Sequence, residues 1–113
     1  MKILVIEPLK EPYTKEIIGS LESMQQIVGG TIQAIYPFDN PEIALICNDE
    51  GKLIGLPLNR ALYDKGGKLF DIVAGTFFLC SAPADSENFE SLSDENIETY
   101  RERFKNIEIY IKG

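Results

Sequence analysis

The shortness of its apolar runs constrains this chain more than any other feature. They are residues 3–6 (Ile-Leu-Val-Ile), residues 43–47 (Ile-Ala-Leu-Ile-Cys) and a longer stretch over 70–80 broken only by Asp71, Gly75 and Thr76. No window approaches the length of a membrane span. The first run is also too short for the apolar core of a secretion signal, since Glu7 and Pro8 stop it. Continuous β-branched and aliphatic runs of this size read as buried strands. The break at Gly75 predicts a bulge, or a close backbone approach, within a single strand over 70–80.

The segments between these runs fill in the order of elements. Pro8 and Pro12 bracket a turn, and residues 13–17 return as a second strand with Tyr13, Lys15 and Ile17 on one face. Ser20 is placed to accept from an open N–H of a helical first turn. Leu21, Met24, Ile27 and Val28 follow at helical spacing, and Gly29-Gly30 ends the helix. Residues 31–36 form another β-branched strand. Pro57 suits the first position of a short helix over 58–62. Gly66-Gly67 marks a loop. Ser93 caps the clearest helix, with Asp94 and Glu95 where the helix dipole favours negative charge, and Leu92 and Ile97 as a hydrophobic staple. The alternation of Ile107, Ile109 and Ile111 predicts a short last strand.

The order β-β-α-β-β-(α)-β-α predicts one α+β domain over residues 1–113, with a mixed β-sheet, helices mainly on one face, and a β-grasp-like first part. Nothing in the chain reads as a linker or repeat.

Composition narrows the chemistry. There is no histidine, which removes imidazole-activated nucleophiles, imidazole metal ligands and the commonest general base near neutral pH. No glycine-rich phosphate loop is present, because Gly29-Gly30 follows a helix and precedes a strand, the reverse of the order needed. The carboxylate pairs Asp49-Glu50 and Asp94-Glu95 lack the spaced ligands of a calcium loop. No cofactor, no metal and no enzymatic activity are expected. Eleven basic against eighteen acidic side chains leave a net charge of -7, which opposes direct nucleic-acid binding and attraction to anionic membranes. Cys47 and Cys80 sit inside apolar runs, where a thiol behaves as a small hydrophobe, and a reducing cytoplasm is the expected compartment.

Five residues stand out as candidate ligand contacts. Asn59 and Arg60 lie among apolar neighbours in the segment Gly55-Leu56-Pro57-Leu58-Asn59-Arg60-Ala61-Leu62. A guanidinium fork suits carboxylate or phosphate, and an amide supplies both donor and acceptor. The competing structural reading has Asn59 satisfying backbone and Arg60 pairing with an acid such as Asp71. Gly75 and Thr76 offer backbone amides and a hydroxyl to a ligand, or simply a bulge. Tyr36 beside Pro37 is placed to stack on a ligand at a strand end, or to sit in the rim of the core.

Three motifs together carry a family resemblance: Leu21-Glu22-Ser23-Met24-Gln25-Gln26-Ile27-Val28-Gly29-Gly30 with Thr31-Ile32-Gln33, the segment 55–62 just quoted, and Asp71-Ile72-Val73-Ala74-Gly75-Thr76-Phe77-Phe78. Up to about residue 105 the chain resembles domain-of-unknown-function family 3846. The resemblance implies a small accessory protein of bacteria, phages or mobile elements, and it carries over no catalytic residue. The leading expectation is a non-catalytic protein that binds a host protein or a small ligand, with homodimerisation along the edge strand at 107–111. The rivals are sequestration of a nucleotide-like signal by Asn59, Arg60 and Thr76, an acidic DNA-mimic decoy, and, last, an enzyme working with carboxylates.

Overall fold

A computed structural model describes residues 1–111. Its elements are β1 (Lys2–Ile6), β2 (Tyr13–Glu16), α1 (Leu21–Val28), β3 (Ile32–Ile35), β4 (Ile43–Asn48), β5 (Leu58–Tyr63), β6 (Leu69–Ala74), β7 (Phe77–Ser81) and α2 (Asp94–Phe104). The fold is α+β. Five strands form one sheet in the order β2-β1-β7-β4-β3, and β5 and β6 form a separate hairpin.

Every pairing is antiparallel, where the sequence reading expects a mixed sheet. The reason lies in the connections. β1–β2 and β3–β4 are hairpins, and β7 enters between β1 and β4 antiparallel to both.

The helices also correct an expectation, because they cover opposite faces. Met24 and Val28 of α1 pack on Ile3, Val5, Ala44, Ile46, Phe78 and Cys80. Ile97, Tyr100 and Phe104 of α2 pack on the alternate residues Leu4, Ile6, Ile43, Leu45, Phe77 and Leu79, together with Leu62 and Val73 of the hairpin. The physical cause was present in the runs themselves. All of β4 and residues 77–80 of β7 are buried, and a strand that is apolar on both sides needs cover on both sides. Each such aliphatic side chain contributes about 1.5–3 kcal/mol by leaving water.

The helix ends follow local chemistry. Ser20 Oγ accepts from Ser23 N at 3.1 Å, and Gly29, at φ 79°, donates to Gln25 O at 2.8 Å. Ser93 Oγ accepts from Asn96 N at 3.1 Å.

Three further expectations are overturned. The predicted helix over 58–62 is strand β5, so Pro57 precedes a strand instead of opening a helix; its carbonyl accepts from Gly75 N at 2.7 Å. The stretch 70–80 is two strands in two different sheets, not one bulged strand. The chain passes from β6 to β7 at Gly75, whose φ of 82° requires glycine; a Cβ there would also press on Leu56 Cδ1 at 2.7 Å. Residues 107–111 form no strand, which removes the edge expected to serve as a dimer seam. Among the described residues no helix is long and apolar enough to cross a membrane.

Candidate functional site

Asn59, Arg60 and Gly75 come together, but in the interior. Asn59 Nδ2 donates to Ile6 O and to Gly75 O, each at 2.9 Å. Its Oδ1 accepts from Arg60 Nη1 at 2.8 Å. Arg60 is 0% exposed; its Nε donates to Phe104 O at 3.1 Å and its Nη2 to Lys10 O at 2.7 Å. Phe104 O is an orphan carbonyl at the end of α2, a helix that stops on Lys105 in ordinary helical geometry without a capping glycine. The guanidinium supplies the missing cap at the negative end of the helix dipole. Burial lowers the pKa of Arg60, while the Glu108 carboxylate and Tyr110 nearby oppose that change. Asp71, suggested from sequence as the partner of Arg60, instead pairs with Lys52. The polar segment 59–60 thus ties β5 to the end of β1, the β1–β2 connection, the β6–β7 junction and the end of α2. Thr76 is half-buried beside Gly75.

Tyr36 is placed differently. It lies at the end of β3, on the rim of a groove between β3 and the β5–β6 hairpin. One half of this groove, about 200 Å³, has Ile35, Cys47 and Val73 among its lining, with the turn after β4 at its end. The other half, about 310 Å³, runs from Tyr36 and Phe38 to Tyr63 and Arg103. Phe70 belongs to both halves and joins them.

The groove leaves several large apolar side chains in water. Tyr36 is 54% exposed, Leu53 88%, Tyr63 50% and Phe70 60%. Four large apolar side chains around one depression mark an interaction surface more often than a solvated one. Its charge leans negative: Asp39, Asp49, Glu50, Asp64 and Asp71 face Lys52, Lys65 and Arg103. Two of the cations are engaged, Lys52 with Asp71 and Lys65 with Asp39 at 3.8 Å. Arg103 lies over the Phe38 ring at 5.0 Å, and that ring packs against Tyr100 at 4.7 Å between centroids.

The frame of the groove is fixed. Asn48 is buried, donates to Val28 O at 3.2 Å and accepts from Glu50 N at 2.8 Å, which ties the turn after β4 to the end of α1. Asp64 Oδ1 accepts from Gly66 N and Lys68 N, both at 2.9 Å, and shapes the hairpin turn. At the floor, burial and the nearby carboxylates of Asp71 and Asp49 push the Cys47 thiol up, so it stays protonated and is a poor nucleophile. Among the described residues no three His, Cys, Asp or Glu side chains gather as metal ligands would.

Sequence reasoning reached Tyr36 but missed Leu53, Tyr63 and Phe70. Leu53 carried a signal, an aliphatic residue inside a polar turn segment. Phe70 was hidden by its place at the start of an apolar run. A third, shallow depression lies beside β2, between Lys15 and Ile18 on one side and Ser23, Gln26 and Ile27 on the other.

A family model described as "Domain of unknown function (DUF3846)" matches residues 1–105. Neither a curated protein nor a solved structure matches the chain.

Proposed function

The chain belongs to the DUF3846 family, and from that premise we propose that it is a non-catalytic docking domain whose groove between β3 and the hairpin receives a segment of another polypeptide. The observation that carries this reading is the set of exposed Tyr36, Leu53, Tyr63 and Phe70 along a groove whose bounding turns are held by the hydrogen bonds of Asn48 and Asp64. Aromatic anchors in a preformed groove are the usual centre of protein recognition. A small anionic ligand is the less favoured occupant, because Arg60 and Asn59, the groups suited to it, are committed to internal acceptors. Two free, buried cysteines fit work in a reducing cytoplasm.

The test is selection of a displayed random-peptide library on the immobilised full-length protein. Selected peptides are expected to lose at least about tenfold in affinity against Phe70→Ala and against Tyr36→Ala, as truncation of a central aromatic anchor does. Peptides that bind both variants as tightly as the parent would place recognition elsewhere and end this reading.

A further inference from the structure

Among the described residues the two sheets leave four strand edges without a further strand, on β2, β3, β5 and β6. Unpaired edges invite further strands, and proteins guard them. On β5, the outward N–H of Ala61 donates to Glu108 Oε1 at 3.0 Å. On β6, the outward N–H of Ile72 donates to Asp71 Oδ1 at 2.8 Å, and Lys52 pairs with that carboxylate. β2 follows Pro12 and carries the exposed charges of Lys15 and Glu16. β3 is flanked by a proline as β2 is, Pro37, but among the described residues no carboxylate caps its outward groups, and it carries no charge. From Thr31 to Phe38 no residue is charged.

The register shows what β3 presents. Asp49 N donates to Thr31 O at 2.9 Å, and Gln33 faces Cys47. Alternation along an antiparallel pair then turns the backbone of residues 31, 33 and 35 toward β4 and that of Ile32, Ala34 and Tyr36 outward. Among the described residues nothing bonds those outward groups. The same edge borders the groove, with Ile35 and Gln33 in its lining.

We propose that the partner segment is an extended strand that adds to the outer edge of β3, with apolar side chains entering the groove beside Phe70 and basic ones meeting Asp49 and Glu50. This inference rests on the docking function proposed above. The outward groups of residues 32, 34 and 36 match a segment of about five or six residues at roughly 3.3 Å per residue. Main-chain bonds to β3 give affinity, and alternate side chains give selectivity. Charge decides the occupant. Asp49 and Glu50 have no cation bonded to them among the described residues, whereas Lys52 and Lys65 are paired. A second copy of this chain is the poorer fit: β3 and its flanks bring no cation to those acids, and each copy carries -7.

The test uses the full-length protein and three synthetic peptides of about eight residues. The first alternates Ile or Tyr with Lys. The second replaces each Lys by Glu. The third is the first with alternate backbone amides N-methylated, which removes the donors of one edge. The Lys peptide is expected to bind at least about tenfold more tightly than the other two and to protect the amides of Ile32 and Ala34 from hydrogen exchange. Ala34→Pro removes only an outward donor and is expected to weaken the Lys peptide by a similar factor; the N-methylated peptide makes the same test on the unaltered protein. Binding that needs Phe70 but tolerates both N-methylation and Ala34→Pro overturns strand addition and leaves the docking groove standing. Peptides that ignore Phe70 and Tyr36 overturn both. Dimerisation of the protein alone that Ala34→Pro abolishes makes a second copy the occupant and overturns the inference.

Discussion

β2 and β3 close the two ends of the same sheet, and they are built on opposite terms. Both are four residues long and both pair with a neighbour on one side only. β2 reads Tyr-Thr-Lys-Glu, and β3 reads Ile-Gln-Ala-Ile. Charge on the first deters a further strand, and the second carries no charge. The hairpin follows the pattern of β2 by other means, with a carboxylate placed on each open edge. β3 is thus the edge without charge, and it borders the aromatic-lined groove where the partner strand is proposed to add.

The contrast depends on interior parts that hold the guards in place, and the largest expected effect lies there. Arg60→Met would leave Phe104 O, Lys10 O and Asn59 Oδ1 without their donor and Glu108 without the buried cation near it. Loss of one member of a buried charged network costs about 3–5 kcal/mol. Urea denaturation at neutral pH should show that loss, and a change below 1 kcal/mol would remove Arg60 from its place as the tie between hairpin and helix.

Removing a single guard should cost less. Glu108→Ala takes the acceptor from Ala61 N–H and from the Tyr110 hydroxyl. An open, partly buried donor costs about 1–3 kcal/mol. Hydrogen exchange at Ala61 is expected to accelerate while exchange along β4 stays slow. Equal acceleration in both would mean that Glu108 supports the whole fold and not one edge.

How much of this was legible differs by region. The caps Ser20, Gly29 and Ser93 act through neighbours a few residues away, so local chemistry located both helices. β1 and β4 followed from short apolar runs, and β3 from its β-branched and aromatic residues. The opposite placement of the helices was also written in those runs and was missed, since continuous apolarity in residues 43–47 already demands cover on two faces. The split of 70–80 was not legible. A glycine in an apolar run fits a bulge and a passage between sheets equally, and only Leu56 and Pro57, brought close by the fold, decide between them. Arg60 was noticed for the right reason, an isolated cation among apolar residues, but its acceptors are backbone carbonyls about fifty residues away in either direction. For β3 the missing charge was visible in the sequence. That β3 would be an edge was not.

The middle of the sheet provides a third kind of strand to set beside the two edges. Cys80 lies on β7, fully buried, and burial pushes its thiol from the ordinary 9.0 up to about 12. The unfolded thiol ionises near pH 9, whereas the native one holds its proton until about 12. Stability is therefore complete below pH 9 and falls as pH climbs toward 12, by about 1.4 kcal/mol at pH 10. Burial raises Tyr100 in the same sense. Denaturation curves between pH 8 and pH 10 should be flatter for Cys80→Ala than for the parent. Parallel slopes would show that the thiol meets water in the folded protein and that β7 is less closed than the edges imply.

The smallest effect on stability bears most directly on the contrast between edges. Lys15 and Glu16 are exposed, and the ion pair of Glu16 with the amino group of Met1 at 3.5 Å joins a carboxylate 74% exposed. Such a pair contributes little. Lys15→Thr combined with Glu16→Thr should leave the denaturation midpoint within about 0.5 kcal/mol of the parent. What should change is association. The outward backbone of β2 would then lack charge, as that of β3 does, and light scattering at rising concentration should detect self-association that the parent does not show. If the double variant stays as dispersed as the parent, charge on β2 is not what keeps that edge clear, and the bareness of β3 loses its meaning as a signal for a partner strand.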